Sequence, residues 1–406
     1  MTRTTIRSED ITAGQVKAAD LASDAVDTTG IQTDIAILGF KVAANGSLAK
    51  YDLADQTIDA FEDASGVDAS ASTDEIRNAA NYYSGGASVS GGTSAFTSTG
   101  ASTWTAPTPS PSSIEVLIVA GGGSGGGNYY SGGGGAGGVV HHATYSVTAG
   151  IVYDLTVGAG GATASAANTG NDGSDSVFNV NAEGSGITMT AVGGGGGGSG
   201  NANSANARSG GSGGGGAEAS TGRAGGASTQ GAVSGATVYG NAGGNGYQNS
   251  NNYDASGGGG ATQAGRWAGA TDGRGGAGKL FSNFTGYGTT SGNVASSGSD
   301  GGYFAGGGAG HNWQSSANAG GVGGGANGAI YTSPATSAAA GMASTGGGGG
   351  GAAHSATPNG GAGGSGFVGI YYASSTSVND LTLVSNATTA EATPTKGDLV
   401  LTYTNG

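Results

Sequence analysis

The stretch Ile114-Glu115-Val116-Leu117-Ile118-Val119-Ala120-Gly121-Gly122-Gly123 joins the two kinds of sequence that dominate this chain. Its first part is a near-continuous apolar run, which predicts a β-strand. Its last part opens a region, residues 121–366, that holds 80 of the 93 glycines. Glycine loses more backbone freedom on folding than any other residue, so this density predicts close backbone packing from which side chains are excluded.

Few ordered structures tolerate so much glycine. Collagen needs glycine at every third residue and abundant proline, whereas this chain has 6 prolines and contiguous runs such as residues 193–198. Cross-β segments are poor in glycine. A polyproline-II helix has three residues per turn and no internal hydrogen bonds, so its backbone groups bond sideways. We therefore predict a bundle of short polyproline-II helices, with a disordered low-complexity tract as the alternative.

Charge and composition exclude several classes of function. The chain of 406 residues has 26 acidic and 12 basic residues, a net charge of −14, and no cysteine. Nucleic-acid binding needs clustered Lys and Arg, so we expect no nucleic-acid partner. Without cysteine there are neither disulfides nor thiolate metal ligands. The glycine region is nearly neutral and polar, which suits sugars and other uncharged ligands.

The chain also lacks the sequence signals of export and membrane insertion. Residues 1–5 are followed by charged residues and not by the apolar core of a signal peptide. We find no apolar run of about 18 residues, the length needed to span a bilayer. We therefore expect synthesis in a cytoplasm.

The first 35 residues place an aliphatic side chain at every fifth position. These are Ile6, Ile11, Val16, Leu21, Val26 and Ile31. A period of five matches neither a helix nor a strand, but it is typical of winding, intertwined stalks, in which one thread alone buries too little. We predict a fibrous, elongated N-terminal stalk that holds a homotrimer; a mobile arm and a short Ala-rich helix are the alternatives.

The full pattern predicts a mainly β fold with a glycine-rich polyproline-II helix bundle. Its predicted parts are an N-terminal stalk or attachment segment at 1–35, a small mixed module and linker at 36–92, a β-sheet unit at 93–192, a glycine-rich polyproline-II tip at 193–373 and a C-terminal β segment at 374–406.

Local signals predict individual elements within these parts. In the mixed module we predict strands at 35–40 and 40–48, a short helix at 52–62, and a capped helical turn from 72 to 81. Phe96 and Trp104 bracket a predicted hairpin. Further strands are predicted at 114–119, 139–147, 151–157, 176–180, 187–192, 367–372, 381–384 and 398–403.

An ordered series of motifs resembles a known family. The motifs are Phe96-Thr97-Ser98-Thr99-Gly100, Thr103-Trp104-Thr105-Ala106-Pro107, the stretch 114–123 quoted above, Gly137-Gly138-Val139-Val140, Tyr153-Asp154-Leu155-Thr156-Val157-Gly158-Ala159-Gly160-Gly161, Asp175-Ser176-Val177-Phe178 and the closing residues 360–372. Together they resemble the glycine-rich domain found in phage tail fibres and adhesins, over about residues 95–373. Residues 38–41, 59–63 and 82–85 are similar to mounting and linker modules of marine phage structural proteins.

The resemblance implies a trimeric or tip-mounted virion appendage. Its N-terminus would attach to other virion tail or capsid proteins, and its glycine-rich part would present variable loops to a host surface glycan or an outer-membrane receptor. The family has no shared catalytic residues to carry over. The expected location is the virion.

Motifs for enzymatic or metal chemistry are incomplete. Residues 273–279 have the spacing of a phosphate-binding loop, but Leu280 stands where Ser or Thr should bind magnesium. Residues 171–175 could offer oxygens to calcium, although a single copy is more typical of a turn. His141 and His142 are adjacent in a predicted strand and therefore point to opposite faces. We predict no enzyme, no cofactor and no metal site.

Aromatic and amide side chains concentrate between the glycine runs from 247 to 313. Aromatic faces stack on the C–H faces of sugars, and neighbouring amides bond the hydroxyls. The alternative is that the rings wedge between glycine segments as core. The predicted receptor-binding residues are Tyr247, Tyr253, Trp267, Phe284, Tyr287, Tyr303 and Trp313. A purely structural glycine-rich spacer and a flat-surface, ice-type binding protein are the alternative functions.

Overall fold

The chain divides into two compact units, one formed by Met1–Ser88 with Thr376–Gly406 and the other by Val89–Ser375. The computed structural model describes residues 50–52, 57–59, 75–77, 83–85, 88–108, 110–165, 168–200, 206–218, 223–246, 253–267, 272–290, 300–313, 317–331, 337–354 and 359–376. The predicted stalk at 1–35 and the predicted strands at 35–40, 40–48, 381–384 and 398–403 lie outside these residues.

In the first unit the described residues form short antiparallel pairs. β1 (Lys50–Asp52) pairs with β2 (Thr57–Asp59), and β3 (Glu75–Arg77) pairs with β4 (Tyr83–Gly85). The helix predicted at 52–62 and the helical turn predicted from 72 to 81 are therefore wrong. One strand of each pair contains β-branched residues, Thr57 and Ile58 in β2 and Ile76 in β3, and its partner strand lies a few residues away along the chain, which favours a hairpin over an isolated helical turn.

Most of the strands that the structure describes lie in the second unit. They are β6 (Gly92–Phe96), β7 (Gly100–Thr105), β8 (Ile114–Val119), β9 (Val139–Tyr145), β10 (Val152–Val157), β11 (Ser176–Phe178), β12 (Met189–Ala191), β13 (Thr237–Tyr239), β14 (Lys279–Leu280), β15 (Tyr303–Phe304) and β16 (Phe367–Tyr372). The strands β5 (Ser88–Val89) and β17 (Ser375–Thr376) each include the residue at which the chain passes from one unit to the other. Two short 3-10 turns cover Glu183–Ser185 and Ser282–Phe284. The strands predicted at 114–119 and 367–372 are confirmed with the same bounds.

Two antiparallel sheets carry the second unit. One has the strand order β12-β11-β10-β7 and the other the order β13-β9-β8-β16-β6. The hairpin predicted around Phe96 and Trp104 is wrong, because β6 pairs with β16 and β7 pairs with β10. The turn between them passes from one sheet to the other, and each strand finds its partner far along the chain.

A hydrophobic core fills the space between these sheets. It includes Tyr153, Leu155 and Phe178 from the four-stranded sheet and Val116 and Ile118 from β8. In β10 the buried side chains alternate with exposed or half-buried ones, as expected for a sheet with one face toward solvent. In β8 nearly every residue is buried, because both faces of the five-stranded sheet are covered.

A second core covers the other face of the five-stranded sheet. Leu117 and Phe367 of that sheet pack here with Phe281, Phe284 and Phe304. The strand β16 has a glycine at position 369, where an added Cβ would lie 2.5 Å from Cε1 of Phe284. The absence of a side chain there lets the Phe284 ring approach the sheet directly.

The glycine runs form a separate layer outside the strand ladders, which we call the glycine array. Its inner segments are residues 121–127, 132–138, 193–198, 306–310 and 346–352. Along 121–127 the backbone N–H groups donate in rotation to three neighbouring segments. Residues 121, 124 and 127 donate to 174, 171 and 168; residues 122 and 125 donate to 364 and 361; residues 123 and 126 donate to 135 and 132. The donor pattern therefore repeats every three residues.

The carbonyl groups of the same segment accept from other neighbours. The carbonyls of 121 and 124 accept from 194 and 197, and those of 123 and 126 accept from 349 and 352. The segment 132–138 behaves likewise, since residues 132, 135 and 138 donate to 198, 195 and 192. Backbone groups deep in the array are thus satisfied by hydrogen bonds to several different segments.

The spacing between segments leaves no room for side chains. A Cβ added to Gly134 would lie 2.1 Å from the carbonyl oxygen of Gly123, and one added to Gly308 would lie 2.0 Å from that of Gly349. Both distances overlap with rigid backbone. By contrast, Gly231 and Gly286 have nothing within 4 Å of the added Cβ.

The array has two distinct ends. At one end the segments continue into the sheets: 121–127 follows β8, 132–138 leads into β9, and 193–198 follows β12. At the other end, which we call the distal end, the turn at 128–131 joins two inner segments. The amides of Gly200, Glu218 and His311 donate to the carbonyls of residues 129, 130 and 131, which brings their segments to this same end.

Candidate ligand-binding surface

The turn at the distal end has an unusual backbone. Asn128, Tyr129 and Tyr130 take positive φ angles of 57, 46 and 47°. Asn tolerates this left-handed region, but each non-glycine residue there costs roughly 1–2 kcal/mol. The three backbone hydrogen bonds to residues 129–131 hold the turn in place. Local backbone strain of this kind is concentrated at functional positions, so the distal end is a candidate functional site.

Seven aromatic rings gather around this turn, and we call them the aromatic cluster. They are Tyr129, Tyr130, Tyr253, His311, Trp313, Tyr331 and His354. Tyr130 stacks on Tyr253 at 5.0 Å between ring centroids and on His354 at 4.9 Å. Trp313 stacks on Tyr331 at 4.3 Å. The rings come from five segments of the chain that the glycine array brings to one end.

The cluster is partly open to solvent. Tyr129 and Tyr331 are 37% and 45% exposed, whereas Tyr130, Tyr253 and Trp313 are half-buried. A surface of ring faces and edges mounted on a rigid base can stack against flat apolar groups, including the C–H faces of sugars.

His311 lies beneath these rings with no exposed surface. Its Nδ1 lies 2.9 Å from the carbonyl oxygen of Ala329, and because a carbonyl only accepts, Nδ1 carries the proton. Burial lowers the pKa of His311 to about 4, so the imidazole is neutral at physiological pH. Nε2 is then an acceptor, and among the described residues it has no hydrogen-bond partner.

Two buried carboxyl groups accompany the cluster. Asp254 is 4% exposed, and its Oδ1 accepts a hydrogen bond of 2.9 Å from the backbone N–H of Trp313. Glu218 is 6% exposed, and burial raises the pKa of its carboxyl. Burial and then the charge of Glu218 raise the pKa of Tyr130 to about 12, so that phenol stays protonated. The distal end therefore combines two buried carboxyl groups with rings that are neutral at physiological pH.

The structure brings together only two of the seven residues predicted from sequence, Tyr253 and Trp313. Phe284 is fully buried in the second core, and Tyr287 packs against Phe367 of that core. Both rings lie at the sheets and not at the distal end.

The remaining three predicted residues lie elsewhere or are not described. Tyr303 belongs to β15, beside the second core. Trp267 is 45% exposed, and it follows Arg266, whose amide donates to the carbonyl of residue 274. Tyr247 lies outside the described residues.

Five members of the cluster were not among the residues predicted from sequence: Tyr129, Tyr130, His311, Tyr331 and His354. A signal was available, because each follows shortly after a glycine run or joins two of them. Tyr129 and Tyr130 separate the runs at 125–127 and 132–135, and His354 follows the run at 346–351. A residue between two consecutive glycine runs lies where the chain turns from one segment of the array to the next, at an end of the array. The positions of the glycine runs therefore predict which aromatic residues lie at an end better than the local density of aromatic residues does.

The other candidate residues have structural partners. Asp172 and Asp175, proposed as calcium ligands, accept hydrogen bonds from the amides of Gly196 and Gly193 at 2.9 and 2.8 Å. Asp172 and Asp175 are three residues apart, as are Gly193 and Gly196, whose amides they accept from. The spacing of the two carboxylates thus equals the three-residue repeat of the donors in the array. His141 contacts Phe281, whereas His142 contacts Tyr145 in the core between the sheets. Within the described ranges, we find no group of three or more metal-ligating side chains.

A family model described as a glycine-rich domain matches residues 96–373. The match covers more than half of the chain, so the protein belongs to this glycine-rich domain family. No curated protein matches the chain significantly. Where the structure describes the chain, no helix has the length and hydrophobicity needed to cross a bilayer.

Proposed function

We propose that this protein is a non-enzymatic attachment subunit, a virion tail fibre or adhesin, that binds a host-surface saccharide through its aromatic cluster. The observation that carries the proposal is the set of half-exposed rings held at the distal end of the glycine array. The sequence resemblance to glycine-rich domains of tail fibres and adhesins supports the same function.

The finer architecture is part of the proposal. We take the segments of the glycine array to be polyproline-II helices packed side by side. Three features support this: the hydrogen-bond partners rotate with a period of three, the runs at 132–135 and 193–198 contain no residue with positive φ, and neighbouring backbones touch. A period of three and the lack of internal hydrogen bonds are the properties of that helix.

This architecture suits recognition of a flexible glycan. Each ring of the cluster sits directly beside a segment whose backbone is fixed by its neighbours, so little ordering cost remains when a ligand binds. A homotrimer formed through the N-terminal residues would carry three such ends, and weak binding at each would gain by avidity. In this proposal the N-terminus attaches to other tail or capsid proteins of the virion.

Substitutions in the cluster test the proposal. Tyr331→Ala and Trp313→Ala should each lower binding of the labelled protein to host cells by at least about tenfold, since stacking on one ring contributes on the order of 1–3 kcal/mol. Leu280→Ala is the control, because Leu280 is an exposed apolar side chain on β14. The melting temperature of all three variants should stay close to that of the parent. Normal cell binding by both folded cluster variants would contradict the proposal.

A structural spacer is the second candidate function. It is favoured by the way the rings pack on one another, with Tyr130 in contact with four other rings of the cluster. If Trp313→Ala and Tyr331→Ala both lower the melting temperature strongly, the cluster serves to close the end of the array, and the spacer is the better account.

A further inference from the structure

Glu218 has no ionic partner in the part of the chain that the structure describes. Arg223, in the next described segment along the chain, does not form an ion pair with it. The described ion pairs join other residues: His141 with Glu115, Arg208 with Asp172, and both Arg266 and Arg274 with Asp272. Burying a carboxylate without a cation is costly, and such a group gains most from a cation that arrives with a ligand.

Glu218 keeps a small part of its surface, 6%, exposed to solvent. Its side-chain oxygens are not among the fully enclosed atoms that lack a hydrogen-bond partner in the described residues, which are Nε of Arg223 and Nε2 of His311. Glu218 is also joined to the cluster directly, because its amide donates a hydrogen bond of 3.1 Å to the carbonyl of Tyr130. The charge of Glu218 also raises the pKa of Tyr130, so the carboxylate lies near enough to the cluster to act on a ligand bound to the rings.

The rings add a second attraction for a cation. The negative faces of tyrosine and tryptophan attract ammonium groups, by about 0.5–1 kcal/mol when exposed and more when desolvated. His311 beneath them is neutral at physiological pH, so it does not repel a cation. Asp254, which is 4% exposed and accepts a hydrogen bond from the amide of Trp313, adds a second buried carboxyl group beside the cluster.

We infer that the saccharide bound by the aromatic cluster carries a free amine, whose ammonium group pairs with Glu218 while the sugar ring stacks on the aromatic surface. This inference rests on the proposed function and narrows it to amino sugars. Acidic saccharides should bind more weakly, because their carboxylates would be repelled by the carboxylates of Glu218 and Asp254.

Two oligosaccharides that differ only in the amine provide the test. Isothermal titration calorimetry of the full-length protein would compare a glucosamine oligomer with an N-acetylglucosamine oligomer of equal length, at about pH 6 where a primary amine is protonated. We expect the free amine to bind about tenfold more tightly. The Glu218→Gln variant should lose that preference, whereas Glu183→Gln, which alters an exposed carboxylate in the first 3-10 turn, should retain it.

The outcomes separate this inference from the proposed function. Equal affinity for the two oligomers, or a preference that survives in Glu218→Gln, would overturn the amine inference and leave saccharide binding intact. Tighter binding of an oligogalacturonate would also overturn it and would point to Arg223. Spermidine binding as tightly as the glucosamine oligomer would overturn the role of the sugar ring. If neither oligomer binds, both the inference and the saccharide proposal fail.

Discussion

The sheets and the glycine array pack their interiors in opposite ways. Between the sheets, large side chains such as Tyr153 and Phe178 fill the space, and their rings stack at 5.9 Å. In the array, the interior consists of backbone alone, and the carbonyl of one segment occupies the place that a Cβ would take in the next. The interior between the sheets is stabilised mainly by burial of apolar side-chain area, whereas the array is stabilised by backbone hydrogen bonds to several neighbouring segments.

The comparison teaches how a chain poor in large apolar residues can still be densely packed. Only 35% of the residues are hydrophobic and 93 are glycine. The same continuous stretch, 114–127, contributes side chains to one interior and bare backbone to the other. It follows that the two regions should respond oppositely to substitution: the sheets to losing atoms and the array to gaining them.

The largest expected effect is the addition of a side chain to the array. Gly134→Val places a branched side chain against the carbonyls of Gly123 and Ser124, and we expect destabilisation of more than about 5 kcal/mol, the range of the most disruptive core substitutions. Urea unfolding would measure it. Gly231→Val is the matched control, since an added Cβ there meets open space, and it should change stability by less than about 0.5 kcal/mol.

Equal effects of the two valine substitutions would break the comparison. They would mean that Gly134 does not lie in a close-packed interior, and the account of the glycine array would be wrong while that of the sheets could stand.

The next largest effect is truncation in the sheet interior. Phe178→Ala should cost about 3–5 kcal/mol, because it removes a fully buried ring and leaves a cavity between Tyr145 and Tyr153. Chemical denaturation would measure the loss. Val152→Ala on the exposed face of β10 is the control and should be nearly neutral. A near-neutral result for Phe178→Ala would show that the ring does not support that interior.

A somewhat smaller effect concerns His311, one of the few ionisable side chains buried within the array. Its pKa is lowered from 6.5 to about 4, so the unfolded chain binds the proton more readily. Stability should therefore be fully present above pH 6.5 and fall by up to about 3 kcal/mol as the pH drops to 4. His311→Asn keeps an N–H donor but does not titrate, so its unfolding free energy should depend less on pH over this window.

His142→Asn is the control for this titration. Burial lowers the pKa of His142 in the same direction, but this side chain is partly exposed, so its substitution should remove less of the pH dependence than His311→Asn does. An unchanged pH profile in His311→Asn would show that the imidazole is not buried in the native state.

The smallest effect lies at the border of the array. Asp175 accepts a hydrogen bond from the amide of Gly193, so Asp175→Ala should destabilise the protein by about 1 kcal/mol. Asp175→Asn retains an acceptor oxygen and should cost less. Thermal unfolding would measure the stability of both variants. A smaller loss in Asp175→Asn would show that this side chain stabilises the array through its hydrogen bond to an amide at the border. Equal losses in the two variants would argue against this role.

Much of the second unit could be predicted from local sequence. The run at 114–119 is apolar on both faces and bounded by Ser113 and Ala120, and it forms β8 as expected. The pairing of β6 with β16 could not be predicted, because it joins residues more than two hundred positions apart and nothing local specifies the partner. The helix predicted at 52–62 failed because strand pairing overrode the spacing of Leu53, Ile58 and Phe61.

The candidate surface was less accessible to prediction. Counting aromatic residues favoured 247–313, yet Phe284 and Tyr287 face the second core, whereas Tyr130 lies at the centre of the cluster. The positions of the rings depend on which segments of the array run side by side. That order is set by backbone hydrogen bonds among nearly identical glycine runs, which carry no side-chain signature.

Amide hydrogen exchange of the full-length protein tests the central claim most directly. If the glycine segments form an ordered bundle of polyproline-II helices, the amides of Gly123, Gly134 and Gly349, which donate to Gly135, Gly349 and Gly123 at 2.8–2.9 Å, should exchange as slowly as those of β8 and β16. Exchange of these glycine amides at the rate of an unfolded chain, with β8 and β16 still protected, would contradict the account.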